Sequence, residues 1–225
     1  MKQDLRVQGW NFNRIQDGSI VITTLIFLIA LFGFVLSVNI ITGLFLLIGF
    51  VLWGLVLYFF RDPDRVTPVL EGGVVSPADG KVIKVERLEN THFAEGPCQK
   101  ISIFMSIFNV HVNRIPFDGR IAKVDYYPGK FFSANLDKAS RFNEHNAVYL
   151  ETGNGQTLCF VQIAGLVARR IICRIQEGGA VFRGQRFGLI CFGSRLDVYL
   201  PVDAQLTVTV GDVVSAGTSL IGKLT

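Results

Sequence analysis

Two long apolar runs near the start of the chain constrain its fold most strongly. Residues 20–36 form the first run and residues 40–60 the second, and only the uncharged Ser37-Val38-Asn39 separates them. A helix needs about 20 apolar residues to cross a bilayer, with a lower limit near 17. The second run exceeds that length and the first reaches the limit. The sequence therefore predicts a membrane-associated helical hairpin within residues 1–60.

Two other interpretations of these runs are weaker. A cleaved signal peptide is disfavoured because the apolar stretch is too long and lacks a small-residue cleavage pattern. A buried helical hairpin of a soluble domain would show the same hydrophobicity and remains the alternative. Whether the hairpin spans the bilayer or only dips into it is left open.

Basic residues flank the hairpin on both sides. Lys2, Arg6 and Arg14 precede the first run, Arg61 and Arg65 follow the second, and the connection carries no charge. Under the positive-inside rule both ends of the hairpin stay in the cytoplasm. We therefore expect the rest of the chain to lie on the cytoplasmic face of the cell membrane.

The texture of the chain changes after Pro63, which disfavours helix in the residue before it. Short apolar runs punctuated by glycine replace the long ones, and such runs are typical of strands. The predicted strands cover residues 74–75, 81–85, 100–104, 121–127, 147–150, 157–163, 171–175, 187–192, 196–200 and 205–210. The expected fold is mostly β, a barrel-like or sandwich domain over residues 61–225.

Three glycine-rich segments of this domain share a local pattern. They cover residues 73–82, 178–185 and 210–218, and they resemble the hammerhead turns of biotinyl and lipoyl carrier domains. None presents a lysine at a clear carrier tip. We therefore take only the β architecture from this pattern.

Charge and cysteine content limit the classes of partner and site. The chain has 22 Lys+Arg against 18 Asp+Glu, a net charge of +4 without a dense basic run. This excess is too small to indicate nucleic acid and suits an anionic membrane surface or a phosphorylated substrate. The cysteines form no C-x-x-C pair, so we expect reduced core residues with neither zinc nor disulfides. They are Cys98, Cys159, Cys173 and Cys191.

The peptide bond between Gly193 and Ser194 lies between two predicted strands and could cleave itself. Glycine lets the backbone bend, so the serine hydroxyl can approach the Gly193 carbonyl and convert the amide into an ester. Elimination would then leave a dehydroalanine, which hydrolyses to a pyruvoyl group at the head of a new chain. A pyruvoyl ketone is an electron sink. Gly-Ser is also a common turn dipeptide, which is the simpler interpretation.

Such a cleavage needs a base, and the chain offers three histidines. His92 lies in a polar turn and is expected to be solvated, whereas His145 lies in a polar loop of undecided role. In an extended stretch, Asn109, His111 and Asn113 would share one face. That arrangement makes His111 the best base candidate, with a structural histidine as the alternative.

Asp79 is the best candidate for an acid that orients the base. It stands in Ser76-Pro77-Ala78-Asp79-Gly80, between two predicted strands. An Asp-Gly pair also makes tight turns for conformational reasons alone, so the residue by itself proves nothing.

Four motifs in order connect these candidates to a known family. The chain resembles the short, pyruvoyl-dependent phosphatidylserine decarboxylases over nearly its whole length, hairpin included. The motifs are Phe60-Arg61-Asp62-Pro63, Ser76-Pro77-Ala78-Asp79-Gly80, Phe108-Asn109-Val110-His111-Val112-Asn113-Arg114 and Phe192-Gly193-Ser194-Arg195. Each is weak alone, whereas four in sequence order are specific.

The resemblance implies both an activity and a set of site residues. Ser194 becomes the pyruvoyl cofactor, Asp79 and His111 assist self-cleavage as a charge-relay set, and cleavage yields chains 1–193 and 194–225. The product enzyme converts phosphatidylserine to phosphatidylethanolamine and CO2 in phospholipid biosynthesis. Longer members carry Leu-Gly-Ser-Thr and a second histidine, whereas this chain has Phe192, Arg195 and His111 alone, which leaves open whether one histidine serves both reactions.

Several points stay open at this stage. Arg114 and Arg195 are candidates to bind the lipid phosphate, and Arg61 and Arg65 are further candidates. Each could also be an ordinary surface charge. An ether-linked serine lipid is an alternative substrate, and a non-enzymatic membrane-tethered adaptor is an alternative class of protein. A homodimer is possible, and no metal site is expected.

Overall fold

The computed structural model describes residues 13–134, 142–166, 170–191 and 193–225. Phe192, which belongs to the last sequence motif, lies outside the described residues. The chain separates into two compact units, residues 1–61 and residues 62–225.

The first unit is the predicted helical hairpin. Its helices are α1, Asn13–Leu36, and α2, Ile40–Phe59. Asn39 caps α2, because its side-chain oxygen accepts hydrogen bonds from the Ile41 and Thr42 amides, both at 3.0 Å. Both helices are long and apolar enough to cross a membrane by length and composition, and almost none of their apolar surface is buried. These helices indicate membrane association.

Strands dominate the second unit, which confirms the predicted fold class. One curled sheet has the strand order β13-β2-β3-β11-β7-β6-β5-β9, and two three-stranded sheets have the orders β1-β14-β12 and β4-β10-β8. The strands are β1 Gly73–Val75, β2 Gly80–Leu88, β3 Cys98–Met105, β4 Val112–Arg114, β5 Gly119–Tyr127, β6 His145–Glu151, β7 Thr157–Ala164, β8 Ile171–Cys173, β9 Ala180–Val181, β10 Arg186–Ile190, β11 Ser194–Pro201, β12 Gln205–Leu206, β13 Val213–Val214 and β14 Leu220–Lys223.

The first and last of the three glycine-rich segments lie side by side. Strand β13 pairs with the start of β2, and β14 pairs with β1. The end of the chain therefore closes the β unit against its beginning.

The large sheet buries both of its faces. Leu196 and Val198 of β11 belong to the main core, whereas Tyr199 of the same strand belongs to a second cluster with Phe93 and Cys159. Successive side chains of a strand point to opposite faces, so β11 contributes to both layers. The cysteines in the described residues are free thiols. Burial raises the pKa of the Cys191 thiol, two residues before the Gly193–Ser194 bond.

Candidate active site

Ser194 begins β11 at one end of the large sheet. Its neighbours across the sheet are Met105, the last residue of β3, and Ala164, the last residue of β7. The side chain is fully buried, and its hydroxyl donates to the Met105 sulfur at 3.3 Å. A thioether is a weak acceptor. This weak hydrogen bond orients the hydroxyl, and a base could readily replace it.

The carbonyl group of Gly193 is tightly confined. Gly193 has φ +65°, a left-handed conformation that favours glycine. Gly165, in the turn after β7, packs directly against it: a Cβ added at Gly165 would come within 2.1 Å of the Gly193 oxygen. Only glycine at position 165 leaves room for the carbonyl where it now lies.

His111 is fully buried between the turn that follows β3 and strand β4. Its Nδ1 lies 2.9 Å from the Asn109 carbonyl oxygen. A carbonyl only accepts hydrogen bonds, so Nδ1 of the neutral ring must carry the hydrogen and Nε2 is the basic nitrogen. The extended stretch predicted for 109–113 is only partly present, because the Asn109 side chain folds back to accept from the Ser106 amide at 2.8 Å.

Asp79 immediately precedes β2, whose first residues lie beside the end of β3. Its carboxylate accepts two hydrogen bonds from Arg65, at 2.5 and 2.8 Å. The Ala216 amide donates a third, at 2.7 Å. Asp79 therefore joins the segment after the hairpin to the C-terminal turn, at the same end of the sheet as Ser194.

A chain of buried amide side chains leads away from Ser194. Asn113 donates to the Met105 sulfur at 3.8 Å and accepts from Gln162 at 2.8 Å. Asn146 in turn donates to Gln162 at 3.2 Å. Each of these polar groups is buried and hydrogen-bonded, and the network fixes the position of these side chains.

Comparison with known proteins gives one consistent result. A family model described as "Phosphatidylserine decarboxylase" matches residues 52–222. The chain is 52% identical over 165 residues to a protein of Syntrophus aciditrophicus, covering 73% of this chain and 78% of the relative. It is 45% identical over 218 residues to a protein of Cupriavidus taiwanensis, covering 96% and 94%. Both relatives are named "Phosphatidylserine decarboxylase proenzyme".

The chain belongs to the phosphatidylserine decarboxylase family. A third relative, from Magnetococcus marinus, carries the same proenzyme name and is 47% identical over 181 residues, 79% of this chain and 83% of the relative. The sequence resemblance to this family is confirmed.

In this decarboxylase-family chain, Arg114 contacts the Asp62-Pro63 segment that follows the hairpin. The Arg114 guanidinium donates to the Pro63 carbonyl at 3.0 Å and to the Gly184 carbonyl at 3.1 Å, and it pairs with Asp62 at 3.4 Å. Desolvation lowers the pKa of Arg114. Because β4 ends at Arg114, these contacts position the strand that follows His111.

Arg195 does not occupy a position that supports phosphate binding. Its side chain is 1% exposed and forms two hydrogen bonds to Asp197, at 2.6 and 3.0 Å, and one to Ser102 at 2.9 Å. It follows Ser194 directly and therefore points to the opposite face of the sheet. Arg65 is likewise engaged, with Asp79, and Arg61 packs over the Tyr58 ring.

His145 lies on that opposite face as well. It stacks on Tyr127 with ring centroids 4.7 Å apart, and its Nδ1 lies 2.7 Å from the Asn143 carbonyl oxygen. His92 is exposed, as expected from the sequence, and partial desolvation followed by the charge of His145 lowers its pKa. The ring of His145 thus faces the second cluster and not the core layer of Ser194.

Proposed function

We propose that the chain is a membrane-associated proenzyme that cleaves itself between Gly193 and Ser194 and then decarboxylates phosphatidylserine to phosphatidylethanolamine. The observation that carries this proposal is the confined Gly193–Ser194 bond in a member of the phosphatidylserine decarboxylase family. A non-enzymatic adaptor would need neither the family membership nor a buried serine at that bond.

The cleavage is a rearrangement followed by an elimination. The Ser194 hydroxyl loses its proton and attacks the Gly193 carbonyl, so that the C–N bond breaks and an ester joins the two residues. Removal of the Ser194 α-hydrogen then breaks the ester C–O bond and leaves the Gly193 carboxylate and a dehydroalanine. Water hydrolyses the dehydroalanine to a pyruvoyl group, and ammonia leaves.

His111 is proposed as the base for the first step. Its Nε2 carries the lone pair of the neutral ring because Nδ1–H is directed at the Asn109 carbonyl. The Asn109 carbonyl would thus orient the ring and select its tautomer, whereas the sequence interpretation gave the orienting role to Asp79. We assign Asp79 to the same set of residues, where it ties the start of β2 to Arg65 and to the turn at Ala216.

The residues around Ser194 fit a pyruvoyl group at the head of β11. The group would stay small and buried, with the Met105 sulfur and the buried amides beside it. When present, it supplies the electron sink for loss of CO2. His111 would donate the proton that replaces the lost carboxyl group on the product, and its burial limits exchange with bulk water.

Cleavage should leave the two chains, 1–193 and 194–225, associated. The short chain begins with β11, which pairs with β3 on one side and with β7 on the other. Its later strands, β12 and β14, form a sheet with β1 of the long chain. Backbone pairing and burial therefore hold the short chain in place. A homodimer of this assembly stays a prediction.

Intact mass measurement tests the proposal. We expect the purified protein to give two chains, the shorter with a ketone in place of an amine at its start, and to release CO2 from phosphatidylserine without added pyridoxal phosphate. A single uncut mass in a preparation that is active would contradict the proposal. So would a short chain that begins with an ordinary serine.

Membrane topology is a separate prediction. The uncharged turn at Ser37 to Asn39, between flanks bearing Arg14 and Arg61, predicts that both ends of the chain are cytoplasmic. Reporter fusions at Met1 and at Thr225 should both give a cytoplasmic signal. A periplasmic signal from the fusion at Thr225 would refute this topology and place the β unit on the other face of the membrane.

Substitution of Gly165 should slow cleavage without removing a reacting group. In Gly165→Ala the new methyl group would overlap the Gly193 oxygen, so the carbonyl must move. A misplacement of about 1 Å can cost roughly 10² in rate. We expect that loss in a time course of processing on gels. Gly153→Ala is the matched control, because a Cβ there meets nothing within 4 Å. Wild-type processing of Gly165→Ala would show that the confinement of the carbonyl is irrelevant.

A further inference from the structure

We propose that four exposed apolar side chains around the Ser194 end of the large sheet insert into the interface of a lipid bilayer. These side chains, the apolar rim, are Ile107, Phe108, Phe142 and Leu166. The inference rests on the proposed function in one respect, namely that the substrate is a lipid held in a bilayer. It adds a second contact with the membrane, separate from the helical hairpin.

The rim residues come from three loops that leave the same end of the sheet. Ile107 and Phe108 follow the last residue of β3, Leu166 follows the last residue of β7, and Phe142 precedes the first residue of β6. Ser194 pairs with the ends of β3 and β7. The next residue of β11, Arg195, pairs with Ile163 of β7, which pairs in turn with His145 at the start of β6. The rim residues therefore lie on loops at the end of the sheet where the proposed reaction occurs.

The rim residues are well exposed, with exposed fractions of 48% for Ile107, 61% for Phe108, 56% for Phe142 and 61% for Leu166. Among the described residues after position 71, the only other strongly exposed Phe, Ile or Leu is Phe182. Phe182 follows β9, which pairs with Gly119 and Arg120 at the far end of β5. Four of these five side chains thus cluster at one end, whereas scattered surface residues would not.

Charge on the same loops favours a lipid surface over a second copy of the chain. Lys130 and Arg170 are both exposed at this end of the sheet. Apolar side chains flanked by cations suit an anionic bilayer interface, where the apolar groups enter the acyl boundary and the cations meet the head groups. In a two-fold dimer through the same patch, these cations would face their own copies. We therefore assign the rim to the bilayer.

Insertion would also solve a problem of access. A two-chain lipid rarely leaves the bilayer, so the enzyme must reach the head group at the interface. An apolar rim that sinks into the boundary would bring the end of the sheet to the level of the head groups. The site could then take up the serine head group while the tails remain in the membrane.

Quenching by brominated lipids tests the insertion directly and without any activity. The full chain, with Trp10 and Trp53 replaced by Phe, would carry one tryptophan as Ile107→Trp, Phe142→Trp or Phe182→Trp. It would be reconstituted in vesicles of phosphatidylcholine and phosphatidylglycerol with brominated tails. Inserted side chains lie roughly 5–10 Å into the interface, so we expect about half of the emission to be lost at positions 107 and 142. Position 182, similarly exposed at the opposite end, should keep its emission.

Three quenching results would overturn the inference. Unquenched emission at both 107 and 142 would show that the rim stays out of the lipid, and a concentration-dependent blue shift without quenching would assign it to a second copy. Equal quenching at 182 would show unspecific contact of the whole unit. Because these vesicles contain no phosphatidylserine, quenching can succeed even if the proposed decarboxylase activity fails.

An activity measurement supplies the second arm. In Ile107→Ser/Phe142→Ser we expect kcat/KM for phosphatidylserine in vesicles to fall about tenfold, because loss of two inserted apolar side chains weakens interfacial binding at least that much. Activity on a dispersed short-chain phosphatidylserine should stay within about twofold of wild type, and Phe182→Ser should resemble wild type on both substrates. Equal losses on both substrates would mean that the rim serves the site itself, and the inference would be wrong.

Discussion

Ser194→Ala should give one uncut chain with no decarboxylase activity. Alanine lacks the hydroxyl, so neither the ester nor the dehydroalanine can form, and no ketone replaces the amine at residue 194. The loss should be complete within the sensitivity of the assay, because the proposed cofactor has no other source in the chain. Within the described part of the chain, the Ser194 side chain makes a single hydrogen bond, to a thioether, so the fold should survive the change.

Mass spectrometry and CO2 release measure the two expected losses. Ser219→Ala is a suitable control, since it removes a hydroxyl from a turn of the same short chain, where Ser219 accepts from the Ser215 amide at 2.9 Å. It should be cut like the wild type. Two chains from Ser194→Ala, or full activity from an uncut chain, would remove Ser194 from its proposed role. Borohydride should reduce the wild-type ketone and abolish activity, whereas it should leave the mass of Ser194→Ala unchanged.

The fold class could be predicted from the sequence because hydrophobic pattern determines it. Each of the apolar runs predicted as strands overlaps a strand of the structure, and the hairpin follows from two uncharged runs of spanning length. The missed strands are two to four residues long, for example β9 and β13, Ala180–Val181 and Val213–Val214. Their pairing depends on partners distant in the chain, and so short a segment carries no periodicity of its own.

The sequence predicts candidate reacting groups for the site but not the residues that support them. Ser194 and His111 stand out as residue types with chemistry, and Asp79 stands out beside Pro and Gly. Gly165 gives no such signal, because its role depends on the register that places the end of β7 beside Gly193. Met105 is hidden for the same reason, since an ordinary core methionine and a contact of the nucleophile look alike in sequence.

Local hydrogen bonding explains the error in the segment before His111. The residues from Asn109 to Asn113 alternate like a strand, yet the strand begins only at Val112. Asn109 instead accepts from the amide and the hydroxyl of Ser106, both at 2.8 Å. Asn and Ser side chains compete for backbone groups in this way and favour turns. This turn places the Asn109 carbonyl against the His111 ring.

The proposed role of Asp79 can be separated from that of its partner. Asp79→Ala should slow cleavage while leaving a folded β unit. Arg65→Ala removes the ion pair but keeps the carboxylate and its bond from the Ala216 amide. Slower cleavage in Asp79→Ala than in Arg65→Ala would indicate that the carboxylate itself assists the reaction. Equally slowed cleavage in both variants would limit Asp79 to holding the Arg65 segment and the Ala216 turn together. Wild-type rates in both variants would remove Asp79 from the site.

His111→Ala should slow self-cleavage by about 10² to 10⁴, the usual contribution of a positioned general base. A neutral serine hydroxyl is a poor nucleophile, and Nε2 of His111 is the base that the proposed mechanism places beside it. Pulse-labelled protein followed on a gel would give the rate of conversion from one band to two.

His145→Ala is the matched control, because His145 is also buried and also directs Nδ1 at a carbonyl two residues earlier. It lies on the opposite face of the sheet from Ser194, so its loss should change the rate of cleavage far less than the loss of His111. If the two variants are cleaved at similar rates, the effect of His111 is structural. If His111→Ala is processed like the wild type while His145→Ala is not, the base has been misassigned and the side-chain direction of β6 must differ in the reacting state.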